Sequence, residues 1–266
     1  SLRLRAIRAI KVTSTNTHVP MDIGKFPPIY HLAFEALSFW VAFRLYIKLR
    51  KRDSLNLRKR IPIMIGGMLG AAIGCKILYW LEDPGLVMAH ITDIELLLSG
   101  KSLVGALLGG WIAIELTKKI VKIKSATGDS FVLPLMAGMI IGRIGCFLCG
   151  SYDFSYGTPT DLPWGMDFGD GIRRHPAQLY EILFLLGCVG AWTKLVKMPL
   201  EQGELWKLFI LAYLTFRFFL EFLKPVAHVY LGLDVEQVVA VGACFYYSPY
   251  LVSKLFPSAR EVQDGG

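Results

Sequence analysis

The hydrophobic positions of this chain fall into long continuous blocks, which short polar segments separate. Blocks of roughly 20 apolar residues match the length of a helix that crosses a lipid bilayer, and they are unusual in water-soluble domains. The pattern therefore predicts an all-α, polytopic membrane protein with about seven transmembrane helices. These helices are expected at residues 29–47, 61–81, 102–117, 131–149, 176–196, 205–223 and 235–253.

The charged residues between the blocks indicate the direction of the chain through the membrane. Lysine and arginine are concentrated in segments 48–60 and 118–124, whereas glutamate and aspartate occupy segment 82–95. Loops rich in lysine and arginine stay on the cytoplasmic side. The alternation predicts an outside N-terminus and an inside C-terminus. The formal net charge of +8 is then cytoplasmic loop charge, and nucleic-acid binding is not indicated.

The domain organisation expected from this pattern is simple. Residues 21–258 form a single transmembrane domain, which carries a periplasmic loop at 150–174. Residues 1–20 are basic and irregular and would break the charge rule, so they are expected to be an extension or disordered. Residues 259–266 form a cytoplasmic tail.

The five cysteines do not indicate a metal or redox centre. Cys75, Cys188 and Cys244 lie inside apolar blocks and behave as small buried hydrophobic residues. Cys146 and Cys149 have CxxC spacing, but no second CxxC and no pair of histidines accompanies them. The sequence therefore predicts neither a metal nor a cofactor.

Arg143 and Arg217 lie near the expected outer ends of their predicted spans, where an unpaired charge is costly and usually functional. Arg217 has a possible partner in Glu221, four residues later on the same helix face, and that acid could also hold the guanidinium in place for function. Arg143 has no acid three or four residues away, so an external anion is expected to pair with it. Two guanidinium groups at the same depth in the membrane would suit a phosphate, because each guanidinium can bind two phosphate oxygens at once.

The segment between the two arginines contains further polar candidates. His175 precedes Pro176 at a helix entrance, where it is either a loop or capping residue or a proton carrier. Gln178 and Glu181 follow inside the predicted span. Gly142, beside Arg143, would allow a lipid headgroup to approach the backbone closely.

These residues occur in motifs that resemble one known family. The motifs are Gly142-Arg143-Ile144-Gly145, the run from Arg174 to Glu181, the run from Tyr213 to Phe222, and Pro159 to Gly165 with Gln237 further on. Over roughly residues 21–255 the chain is similar to the prolipoprotein diacylglyceryl transferases of bacterial inner membranes, in helix count and in topology. Each motif alone would be weak, but together they are specific.

The resemblance implies a reaction and its partners. Such enzymes move the diacylglyceryl group of phosphatidylglycerol to the thiol of a lipobox cysteine in a prolipoprotein signal peptide, near the outer leaflet, without metal or nucleotide. The catalytic residues expected here are Arg143, Arg217, His175 and Glu221. Substrate contacts are expected from Tyr30, Ser102, Gly142, Gly145, Cys146, Asp153, Gln178, Tyr180, Glu181 and Gln237.

The chain departs from the family pattern at several polar positions. Valine occupies position 104, where the family has a histidine. Cys146 and Cys149 occupy positions where the family has asparagines. The acid expected soon afterwards is replaced by Ser151 or shifted to Asp153.

Two alternative functions remain open from the sequence. A divergent family member could transfer a phospholipid-derived group to another acceptor, with Cys146 as a covalent relay. A non-enzymatic lipid or anion transporter could use the arginines as a binding site. Transporters often contain internal repeats, and the chain contains no recognisable repeat.

Overall fold

The computed structural model describes residues 28–50, 56–153, 155–226 and 228–255. The predicted extension at 1–20 and the predicted tail at 259–266 lie outside these residues. The periplasmic loop predicted at 150–174 lies within them, apart from residue 154.

The described part of the chain is helical, as predicted, and seven of its helices have 18 or more residues. The ends of these seven helices lie within four residues of the predicted ends. The sequence did not predict two short helices, which lie between the second and third long ones. The helices are α1 (Pro28–Leu49), α2 (Leu57–Glu82), α3 (Pro84–Ala89), α4 (Ile94–Ser99), α5 (Leu103–Ile120), α6 (Asp129–Cys149), α7 (Ala177–Leu195), α8 (Glu204–Glu221) and α9 (Val235–Leu255).

The outer surface of the helices is apolar. Two segments, Arg58–Glu82 and Asp129–Cys149, are long and apolar enough to cross a membrane by length and composition. Large apolar side chains also project outward from several other helices instead of packing in the core. A water-soluble domain rarely leaves this much apolar surface uncovered, whereas lipid can cover it. Examples of these exposed side chains are Trp40, Met68, Leu183, Phe219 and Phe245.

Glycines bring α2 and α5 into close contact. A Cβ atom placed on Gly109 would lie 2.3 Å from the carbonyl oxygen of Gly70 and 2.8 Å from the Cα of Gly74. A Cβ on Gly105 would lie 2.4 Å from the carbonyl oxygen of Gly74. No side chain fits at these positions, so the two backbones approach through glycine, as small-residue stripes allow in membrane proteins.

Replacing Gly109 with valine is expected to lower the free energy of unfolding by about 1–3 kcal/mol, because the new side chain forces the two helices apart. Thermal unfolding of the purified protein measures this loss. Gly187→Val is the matched control, since a Cβ there would meet no atom within 4 Å. Equal stability of the two variants would contradict the close contact between α2 and α5.

Contacts between helix ends bring the starts of α1, α5, α7 and α9 together with the ends of α2, α6 and α8. Lys101 Nζ lies 2.6 Å from Glu35 Oε1, which joins α5 to α1. The Tyr230 hydroxyl donates to the carbonyl of Leu81 at 2.7 Å, which joins the segment before α9 to the end of α2. We call this end of the bundle the site end.

The loop at 150–174 has regular structure that the sequence did not predict. Strand β1 (Met166–Asp167) pairs antiparallel with β2 (Arg173–Arg174). The buried ring of Phe168 stacks on Tyr156, with ring centroids 5.5 Å apart, and the guanidinium of Arg174 lies 4.7 Å from the Tyr156 ring centroid. This packing fixes the segment that leads into His175 and α7.

Candidate active site

Arg143 lies near the end of α6 and faces α7. Its Nε atom is 2.9 Å from Glu181 Oε2, in an ion contact and not a linear hydrogen bond. Its Nη1 atom has a long contact of 4.0 Å with Cys146 Sγ. The side chain is 14% exposed, and a Cβ on the neighbouring Gly142 would meet no atom within 4 Å. Apart from the long contact with Cys146, the terminal amino groups of Arg143 contact no second acceptor among the described residues.

Arg217 lies deeper and is surrounded by acids. Its side chain is 2% exposed, and its Nη1 donates to Glu181 Oε2 at 3.2 Å. Its Nη2 pairs with both Glu221 and Glu236. The pair with Glu221, predicted from the four-residue spacing, is confirmed. Because Glu181 Oε2 touches both arginines, the two guanidinium groups are neighbours.

The positive and negative charges buried around Arg143 and Arg217 balance in number. Lys224 Nζ donates to Glu221 Oε1 at 2.9 Å and adds a third cation, so three cations face three carboxylates. Two hydroxyl groups complete the network: Tyr213 donates to Glu181 Oε1 at 2.9 Å, and Ser102 donates to Glu236 Oε1 at 2.7 Å. Buried charges are tolerated when they are paired and hydrogen-bonded in this way. We call Arg143, Arg217, Glu181, Glu221 and Glu236 the charge cluster.

His175 has partners outside the charge cluster. Its Nδ1 atom is 3.1 Å from the Tyr180 hydroxyl, which also accepts a hydrogen bond from Trp164 Nε1 at 2.9 Å. A base at Nε2 would require Nδ1–H to donate to the Tyr180 hydroxyl, which leaves Nε2 free to accept a proton. The role of His175 as a proton carrier stays a prediction.

Three of the other residues predicted to contact substrate make structural contacts within or between helices, and a fourth is exposed. Gln237 accepts from the backbone N–H of Asp234 at 3.0 Å and donates to the carbonyl of Phe218 at 3.0 Å, so its amide links α9 to α8. Ser102 caps α5 by accepting from the N–H of Gly105 at 3.2 Å. A Cβ on Gly145 would lie 2.6 Å from Phe34 Cβ, so this glycine lets α1 pack on α6. Tyr30, near the start of α1, is 43% exposed.

A second group of polar side chains lies beside Arg143. His31 Nε2 is 3.1 Å from Asp153 Oδ1 and 3.6 Å from Cys146 Sγ. Asp153 also accepts from the Ser155 hydroxyl, which in turn accepts from Gln178 Nε2 at 3.1 Å. Burial opposes ionisation of Asp153, but the hydrogen bonds from His31 and Ser155 outweigh it, so the pKa of this carboxyl lies below its ordinary value.

The site residues expected from the sequence did not include His31, Glu236 or Tyr213. His31 and Glu35 are four residues apart in a mostly apolar block, and this pair was a readable signal. Glu236 opens α9 beside Gln237, yet its pairing with Arg217 depends on how α8 and α9 pack. No local spacing could have shown that contact.

Comparisons with known proteins agree on one family. A family model described as prolipoprotein diacylglyceryl transferase matches residues 18–251. The phosphatidylglycerol–prolipoprotein diacylglyceryl transferase of Nitrosomonas europaea is 33% identical over 228 residues, which cover 76% of this chain and 78% of the relative. The protein of the same name from Pasteurella multocida is 33% identical over 196 residues, 71% of this chain and 68% of the relative.

A third relative aligns with this chain over fewer residues. The phosphatidylglycerol–prolipoprotein diacylglyceryl transferase of Bordetella parapertussis is 32% identical over 185 residues. That alignment covers 66% of this chain and 65% of the relative, slightly less than two thirds of its length.

Proposed function

The chain belongs to the prolipoprotein diacylglyceryl transferase family, and we propose that it moves the diacylglyceryl group of phosphatidylglycerol to the thiol of a lipobox cysteine in a prolipoprotein. The names of its relatives support this reaction. The observation that carries the proposal is the position of Arg143, whose guanidinium is held by Glu181 and contacts no second carboxylate among the described residues.

We propose that the protein lies in the bacterial inner membrane with seven spans, the N-terminus outside and the C-terminus inside. The seven long helices, the apolar outer surface and the lysine-rich and arginine-rich segments away from the site end support this arrangement. Residues 21–258 would then form one transmembrane domain. The site end would face the outer leaflet, where the donor lipid reaches it sideways from the bilayer.

Arg143 is the residue proposed to grip the donor phosphate. Its terminal amino groups have only a long contact with Cys146 within the described residues, so donors remain for phosphate oxygens. Arg217 has its amino groups on three carboxylates, and we assign it the role of a positioning residue. It fixes Glu181, and Glu181 fixes the direction of the Arg143 guanidinium.

The proposed reaction increases negative charge next to Arg143. The acceptor sulfur attacks the glyceryl carbon that bears the phosphate; a carbon–sulfur bond forms, and the carbon–oxygen bond to phosphate breaks. The electron pair leaves with glycerol phosphate, whose phosphate changes from a diester to a monoester and gains negative charge. A guanidinium aimed at these oxygens stabilises the transition state more than the ground state.

We expect purified protein, phosphatidylglycerol and a lipobox peptide to yield a diacylglyceryl thioether, which mass spectrometry detects. A peptide with serine in place of the acceptor cysteine is the control and should remain unmodified. Release of glycerol phosphate without peptide modification would indicate another acceptor. Exchange of lipid between liposomes without any chemical product would contradict the enzyme and favour the transporter.

A further inference from the structure

Three potential metal ligands meet at the site end beside Arg143. His31 comes from α1, Cys146 from the end of α6, and Asp153 from the loop that follows. One atom of each side chain, namely an imidazole nitrogen, a sulfur and a carboxylate oxygen, lies within 4.8 Å of the other two. The sequence predicted no metal because no histidine lies near the CxxC pair, and only the fold brings His31 there.

Two of the three distances between the ligand atoms are close to those in a tetrahedral zinc site. Zinc binds nitrogen, oxygen and sulfur at about 2.0–2.3 Å, so its ligand atoms lie about 3.5 Å from one another. His31 Nε2 lies 3.1 Å from Asp153 Oδ1 and 3.6 Å from Cys146 Sγ. A single N–H on Nε2 cannot point at both atoms. A cation between the three atoms can bind all of them at once.

A carboxylate faces the far nitrogen of His31, and a hydroxyl group holds Asp153. His31 Nδ1 faces Glu35 Oε2 at 3.9 Å, and Lys101 fixes Glu35 through its other oxygen at 2.6 Å. A carboxylate behind the far nitrogen is the usual support of a zinc-bound histidine. Ser155 donates to Asp153 Oδ2, which leaves Oδ1 for the ion.

We propose that His31, Cys146 and Asp153 bind a zinc ion whose fourth position takes the thiolate of the acceptor cysteine. This inference rests on the proposed transfer reaction. Three protein ligands with one open position are typical of catalytic zinc sites, whereas structural sites have four. A free thiol has a reference pKa of about 8.5, and coordination to zinc removes its proton at neutral pH.

The position of the site suits the transfer. Cys146 Sγ lies 4.0 Å from Arg143 Nη1, so a thiolate on the zinc would lie next to the phosphate that Arg143 grips. Holding two reactants side by side in this way lowers the entropy cost of their reaction. Val104 is fully buried in the apolar core and has no titratable group, so position 104 supplies no base.

Protons and charges balance in the proposed transfer step. The acceptor thiol loses its proton when its sulfur binds zinc, and that proton ends on the glycerol phosphate product or in solvent. The thiolate then forms the carbon–sulfur bond as the phosphate ester bond breaks. The product thioether is neutral and a weaker zinc ligand than a thiolate, so the modified peptide can leave.

Metal analysis of the purified full chain, prepared without chelators, tests the site directly. We expect close to a single equivalent of zinc in the unmodified protein and a loss of most of it in Cys146→Ala and His31→Ala. Cys149→Ser is the matched control, because it removes the other thiol of the CxxC pair and should retain the zinc. Absence of zinc from the unmodified protein, or equal zinc in all four proteins, would overturn the proposal.

Cobalt substitution tests the open position. Protein loaded with Co²⁺ should show a thiolate-to-cobalt absorption band that is absent from Cys146→Ala. A lipobox peptide with cysteine should strengthen this band, and the serine peptide should not. A diacylglyceryl group found covalently on Cys146 would contradict the proposal, because a sulfur bound to zinc would not carry that group.

These results separate this inference from the proposed function. Transfer activity by a protein that contains no zinc and tolerates chelators would overturn the zinc site and leave the transferase intact. Zinc binding and the peptide-dependent band without any thioether product would support the site while contradicting diacylglyceryl transfer.

Discussion

Arg143→Lys is expected to lower kcat/KM for diacylglyceryl transfer by about 100-fold or more, the size of effect seen when a single donor to a developing anion is lost. Lysine keeps the positive charge but offers a compact ammonium in place of a planar fork. It can pair with Glu181 or with a phosphate oxygen, but it cannot hold both as the guanidinium does. The loss should appear mainly in kcat, because the charge on the phosphate grows as the ester bond breaks.

The control for this variant is Arg173→Lys at the same end of the molecule. Arg173 donates to the carbonyl oxygens of Leu162 at 2.6 Å and Gly165 at 3.2 Å, so it supports the loop at 150–174 and touches none of the charge cluster. We expect its turnover to stay within a few-fold of the unmodified protein. Turnover of Arg143→Lys equal to that of Arg173→Lys would remove Arg143 from the phosphate site.

The long helices could be predicted from the sequence because each one ends where its apolar block ends. The α8 pair between Arg217 and Glu221 was also predictable, since it depends only on helical spacing. In contrast, Glu181 and Arg143 lie on different helices, 38 positions apart in the chain, and meet only because α7 packs on α6. The sequence predicted that an external anion pairs with Arg143. It could not show that the carboxylate of Glu181 already contacts one edge of the guanidinium.

The loop at 150–174 was the least predictable part of the molecule. Its two strands have two residues each, too short for an alternating pattern, and it is rich in glycine, proline and aspartate. Its order comes from tertiary contacts, such as the stacking of Tyr156 on Phe168. The position of Asp153 against His31 depends on the same long-range packing, so the candidate zinc site could not be predicted from local sequence.

Arg217→Met is expected to destabilise the fold by about 3–5 kcal/mol, because removing one partner from a buried ionic network leaves the others uncompensated. Here Glu181, Glu221 and Glu236 would face one another with two cations in place of three. Thermal unfolding of the purified variant measures the loss, and its activity should fall along with its folded fraction. Adding Glu236→Gln to Arg217→Met should recover part of the stability, since it removes one of the excess charges.

Lys224→Met is the matched control, since it removes the third cation that faces the three carboxylates. Lys224 contacts only one carboxylate, that of Glu221, among the described residues, whereas Arg217 contacts three, so we expect a smaller loss than for Arg217→Met. A large drop for Arg217→Met beside a small one for Lys224→Met would identify Arg217 as the centre of the ionic network. If Arg217→Met instead unfolds at the temperature of the unmodified protein and loses only turnover, the carboxylates do not need Arg217 for folding. Its guanidinium would then act on the donor phosphate together with Arg143, as the two-arginine pattern in the sequence predicted.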